Sequence, residues 1–167
     1  MVGPTGTTGP IGMTGPTGPY GIIGKTGSYC AYDKNQIALR NWYGINYQGY
    51  RFEYLSFLAT DGNNIWVTNT LGNFINIFTL TGTFVKTLSD IIYNFDEPSH
   101  IIYDGNTFWI SNYNGNSVTN IDKNGVFIQT LSGAPYNFSG PGQIVFDGTN
   151  LWVPNSIGNS VTNFDTS

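Results

Sequence analysis

The chain has 167 residues, with 11 Tyr, 11 Phe and 4 Trp against only 16 charged side chains and a net charge of −4. Six scattered Lys and Arg make no basic patch, which excludes a nucleic-acid groove and a basic amphipathic membrane helix, and no run approaches the roughly 18 apolar residues of a membrane span. What remains is a β-rich composition, poor in helix-forming Ala, Glu and Lys, with enough apolar surface for one core.

The first 27 residues carry glycine at every third position without a miss: Gly3, Gly6, Gly9, Gly12, Gly15, Gly18, Gly21, Gly24 and Gly27. Pro4, Pro10, Pro16 and Pro19 each follow a glycine, and Thr5, Thr8, Thr14, Thr17 and Thr26 each precede one. Three extended strands wound together place every third residue on a shared axis where only a hydrogen side chain fits. The leader therefore resembles the collagen-like rods of spore-surface, giant-virus and phage-fibre proteins. The resemblance implies a homotrimer held by these nine glycines. Eight complete triplets would extend roughly 75 Å at about 3.1 Å per residue. With no charged-then-apolar secretory pattern at the N-terminus, the expected address is a particle or cell surface reached by another route.

Glycine triplets stop at Ser28, where aromatic and β-branched residues take over, so residues 28–56 are expected to be a junction and closing strand. Gln36 to Trp42 alternates as one strand, and Tyr43 to Arg51 (YGINYQGYR) is an aromatic-studded loop. Cys30 is the only cysteine, which rules out an intrachain disulfide and a thiolate metal cluster.

From Leu58 the chain repeats. Asp61, Asp104 and Asp147 are spaced 43 residues apart, and DGNNIWVTNTLGN, DGNTFWISNYNGN and DGTNLWVPNSIGN superimpose without a gap. The register aligns Trp66, Trp109 and Trp152, then Asn69, Asn112 and Asn155, then Gly72, Gly115 and Gly158. Each unit predicts four short strands, with Leu58–Thr60, Ile65–Thr68, Phe74–Leu80 and Thr83–Leu88 in the first, joined by Asp-Gly and Thr-Gly turns. The D-G-x-x-Φ-W-Φ-x-N core with its later G-N is similar to the NHL and YVTN class of β-propeller repeats. That resemblance implies one four-stranded blade per 43 residues over 57–167. The fold class expected is thus a collagen-like triple helix followed by an all-β domain of three such repeats, with a β-trefoil as the alternative.

The third repeat ends before its fourth strand, and Lys34–Leu39, which resembles Lys123–Ile128, would supply it within the chain or to a neighbour. Three blades fall short of the 4 to 8 typical of a closed ring. Three chains would make nine blades and two chains six.

His100 is the only histidine and aligns with Phe57 and Gln143, so no catalytic position repeats. Streptogramin lyase-like enzymes share this repeat class but rely on histidines and a metal. The Asp-Gly pairs are explained by turn chemistry rather than calcium, and the only glutamates, Glu53 and Glu97, make no assignable acid pair. The Trp row is read as core. Amphipathic loop residues Tyr43, Tyr47, Tyr50, Tyr113 and Asn114 are the candidate ligand or partner contacts. These features point to a non-enzymatic, homotrimeric surface-fibre subunit with no catalytic residue, cofactor or metal, no nucleic-acid partner and no membrane insertion. The alternatives are an adhesin head binding a glycan or surface receptor, and a propeller-type lyase or hydrolase.

Overall fold

A computed structural model describes Gly3 and residues 52–166. The glycines from Gly6 to Gly27, Cys30, the strand at Gln36–Trp42 with its Lys34–Leu39 closing segment, and the loop bearing Tyr43, Tyr47 and Tyr50 lie outside the described residues. The chain divides into two units, Met1–Arg40 and Asn41–Ser167.

The described part of the second unit is three antiparallel sheets in succession. The first holds β1 (Leu55–Thr60), β2 (Asn64–Asn69), β3 (Phe74–Thr79) and β4 (Phe84–Leu88) in the order β1-β2-β3-β4. After a 3₁₀ turn at Ile91–Tyr93 the second repeats the meander with β5 (Pro98–Tyr103), β6 (Thr107–Asn112), β7 (Ser117–Asp122) and β8 (Phe127–Ser132). The third has β9 (Val145–Phe146), β10 (Asn150–Asn155) and β11 (Ser160–Asp165). Three separate up-and-down sheets stacked face to face are propeller blades, which removes the trefoil alternative. Among the described residues the third blade has three strands, as the sequence repeat requires.

Local chemistry explains why the strands turn where they do. After each first strand an Asp Oδ1 accepts two main-chain N–H groups: from Asn63 and Asn64 on Asp61, Asn106 and Thr107 on Asp104, Thr149 and Asn150 on Asp147, all at 2.7 to 2.9 Å. The glycine next to each Asp sits at positive φ, 102° at Gly105, where a side chain would be strained. In the β6–β7 turn the roles divide. Asn116 takes the left-handed conformation at φ 47°, while Gly115 is kept free of a side chain because a Cβ there would lie 3.1 Å from Asp96 Cβ and 3.2 Å from Asn112 Cβ.

Packing obeys the period of two along the second strands. Trp66 turns to one face of blade one, with its ring 4.1 Å from that of Phe108, while Ile65 and Val67 line a pocket with Leu55 and Leu58 on the opposite face. Trp66, Ile75, Ile77 and Leu88 of blade one thus form one core with Ile101, Phe108, Ile110 and Ile121 of blade two. A shift of 43 residues reproduces that core between blades two and three, where Trp109, Val118 and Leu131 meet Ile144, Leu151 and Val153. The row of tryptophans expected in the core needs one correction. Trp66 and Trp109 are buried, but Trp152 is 43 % exposed, because among the described residues no fourth blade lies against its face.

Candidate functional site

The innermost strands decide where a ligand can sit. β5 lies against β1 and β2 of the preceding blade, and residues 143–146 take the same place in the third. Together they frame a groove of about 430 Å³ lined by Thr60, His100, Ile102, Tyr103, Gln143 and Phe146 among others. This volume lies in the range of small-ligand sites, and its walls expose polar and apolar surface in about equal measure.

His100 is the one titratable base in that groove, and its setting is shared by all three blades. It is buried on β5, its ring meets Phe57 of blade one edge-on at 4.4 Å between centroids, and its Nδ1 accepts the Ile144 N–H of blade three at 3.0 Å. An occupied Nδ1 lone pair assigns the ring proton to Nε2. Burial depresses its pKa to about 4, because the charged imidazolium is poorly solvated there. Near neutral pH the side chain is therefore a fixed neutral donor through Nε2–H, and neither nitrogen is poised as a general base. Tyr103, on the same strand, donates its hydroxyl to Gly105 O at 2.9 Å, so its phenol is tied to the Asp-Gly turn at the strand's end.

The repeated polar residues have mainly structural partners. Asp104 Oδ2 accepts Trp109 Nε1 at 2.7 Å and Asp147 Oδ2 accepts Trp152 Nε1 at 2.7 Å. The Asp147 carboxyl is held down to about 2 by the Asn150 N–H, then by Trp152 and the Thr149 N–H. Asn112 Nδ2 donates to Ser117 Oγ at 3.1 Å and Thr119 Oγ1 at 2.9 Å, and Asn155 repeats this with Ser160 and Thr162 at 3.1 and 2.9 Å. Among the described residues no group of three or more His, Cys, Asp and Glu side chains is placed to hold a metal ion.

Tyr113 and Asn114 share the β6–β7 turn, away from the axial groove. Tyr113 is half-buried and Asn114 exposed, and Asn114 Nδ2 reaches both Asp96 carboxylate oxygens at 3.2 and 3.3 Å. Asp96 in turn borders a polar cleft of about 800 Å³ with Asp90, Asn94 and Thr130. The other three candidate contacts, Tyr43, Tyr47 and Tyr50, lie outside the described residues. Sequence reasoning did not find the groove, although a signal was present: in repeats that otherwise match closely, position 57/100/143 reads Phe, His and Gln. Variation on the first strand, beside constant turns and core, is what an axial surface would show.

No protein-family model matches the chain, and no curated protein sequence does. Solved structures do. A catalytically inactive virginiamycin B lyase from Staphylococcus aureus with Quinupristin superimposes with a TM-score of 0.59 at 21% identity, over 71% of this chain and 40% of that one. A putative 6-phosphogluconolactonase from Bacteroides uniformis gives 0.52 at 15% identity over 66% and 38%. A calcium-binding regucalcin from Agrobacterium tumefaciens gives 0.52 at 16% identity over 66% and 45%. The fold is that of a β-propeller, and the chain spans less than half the length of each of these structures. The expectation of a non-enzymatic fibre subunit is corrected here, since the structures that share these blades are propeller enzymes and binding proteins.

Proposed function

We propose that the three blades belong to a propeller enzyme of the lyase or hydrolase kind, with the substrate held against the axial groove. The observation that carries this reading is the position of His100: the chain's only histidine is buried where three innermost strands converge and is fixed as an Nε2–H donor by the Ile144 main chain. Such a donor suits a carbonyl or ester oxygen that gains negative charge during the reaction. His100 is a binding and polarising group here, and neither of its nitrogens serves as the proton-abstracting base. The likeness to virginiamycin B lyase and to a putative 6-phosphogluconolactonase supports the reaction class.

The leader's unbroken glycine period supports a three-chain rod, which would display several such sites on one particle or cell surface.

The full chain incubated with quinupristin and, separately, with a 6-phosphogluconolactone tests the enzyme reading. Mass spectrometry is expected to reveal conversion of at least one, reduced tenfold or more in His100→Phe, which installs the residue of blade one and removes the donor. Conversion of neither, or equal conversion by the variant, overturns the assignment.

A further inference from the structure

The two outer faces of this arc are complementary to each other, because the repeat makes them copies of surfaces already joined inside the chain. Trp152 and Val161 on blade three occupy the positions of Trp109 and Val118 on blade two. The inner pair is 2 % and 0 % exposed beneath the third blade, and the outer pair is 43 % and 62 % exposed. At the other end Leu58 stands where Ile101 stands on blade two, 66 % exposed against 2 %. Ile65, at the position of Phe108, lines an apolar pocket with Leu58 and Val67. Blade one already presents to blade two the surface that blade three leaves open, with the Trp66 ring tilted against that of Phe108 at 4.1 Å, so the face matching Trp152 is the Ile65 face of blade one.

We propose that a second copy of this chain docks head to tail on the first, its blade one covering Trp152 as blade two covers Trp66. Head-to-tail contacts form a closed ring only when the rotation is completed. Two copies give six blades, within the usual 4 to 8, whereas three give nine, so where three leaders wind into one rod the two arcs of a ring belong to different rods. The second copy also closes the site. Among the described residues one arc walls the axial groove with β1, β5 and β9, and the partner would bring its own three strands and a second His100 to the far side. This last consequence rests on the proposed function, whereas the interface rests on the repeat.

The test uses the full chain with Cys30 replaced by Ser. A chain carrying Trp152→Cys is mixed with one carrying Ile65→Cys and treated with a short thiol cross-linker. Covalent pairs are expected in the mixture and not in either variant alone, and a chain carrying both changes should give pairs joined at both borders. In parallel, Val161→Asp, on an exposed position of the same face, is expected to halve the copies per particle by analytical ultracentrifugation with an unchanged circular dichroism spectrum. No selective 65–152 cross-link, or an assembly unaffected by Val161→Asp, overturns the proposal. Cross-linking without conversion of quinupristin or the lactone would sink the enzyme reading and leave the interface standing, and conversion without cross-linking would do the reverse.

Discussion

Acidification should destabilise this protein through one residue before its carboxylates respond. His100 has a pKa of about 4 in the fold against 6.5 for an unperturbed histidine. Between those values the unfolded chain binds a proton that the folded chain refuses, so the fold loses stability as pH falls from about 6.5 towards 4, and the contribution is level above 6.5. At 1.36 kcal/mol per pH unit the whole gap amounts to about 3 kcal/mol, and because water reaches one side of the ring through the groove, about 2 kcal/mol is the expected loss by pH 4.5. Urea unfolding followed by tryptophan fluorescence at fixed protein concentration, between pH 7.5 and 4.5, measures it. The control is His100→Gln, which carries the residue of blade three and retains an acceptor for the Ile144 N–H, so carboxylate titration common to both proteins cancels in the difference. Parallel stability curves for the two proteins over this range would refute both the buried neutral histidine and its Nδ1 bond.

Trp109→Ala should cost roughly 3–5 kcal/mol in chemical denaturation, since it opens the core between blades two and three. Trp152→Ala should cost under half of that per folded chain while weakening self-association, and equal losses for the two would contradict the equivalence of the repeat faces. Asp104→Ala removes the acceptor of two main-chain N–H groups and of the buried Trp109 Nε1; a loss of about 1–3 kcal/mol is expected from the orphaned donors, and a neutral result would show that the Asp serves the turn only weakly. Asp147, held near pKa 2 mainly by the Asn150 N–H, contributes stability that is present above about pH 4 and disappears as pH falls through 2. NMR titration of its carboxyl carbon should show a midpoint well below the usual carboxylate range, and an ordinary midpoint would discount the Trp152 and main-chain bonds.

The blades could be read from the sequence because their determinants are short-range. An Asp that accepts the N–H groups two and three residues ahead, a glycine at positive φ after it and an Asn in the left-handed turn are energetic choices made within a few residues. A 43-residue period repeats them three times, and alternation along β2, β6 and β10 sends Trp to the face opposite its neighbours. Those local terms determined the sheets and their order. They could not say which strand faces the axis, that His100 would accept a hydrogen bond from Ile144, 44 residues away, or that three equal tryptophans would find unequal burial. Each of these depends on what stacks against a blade, and stacking energy comes from apolar area contributed by a neighbour that the local sequence does not contain. The chain's own letters thus determined the repeating unit, while only the assembled blades decided where the groove lies and which faces remain open.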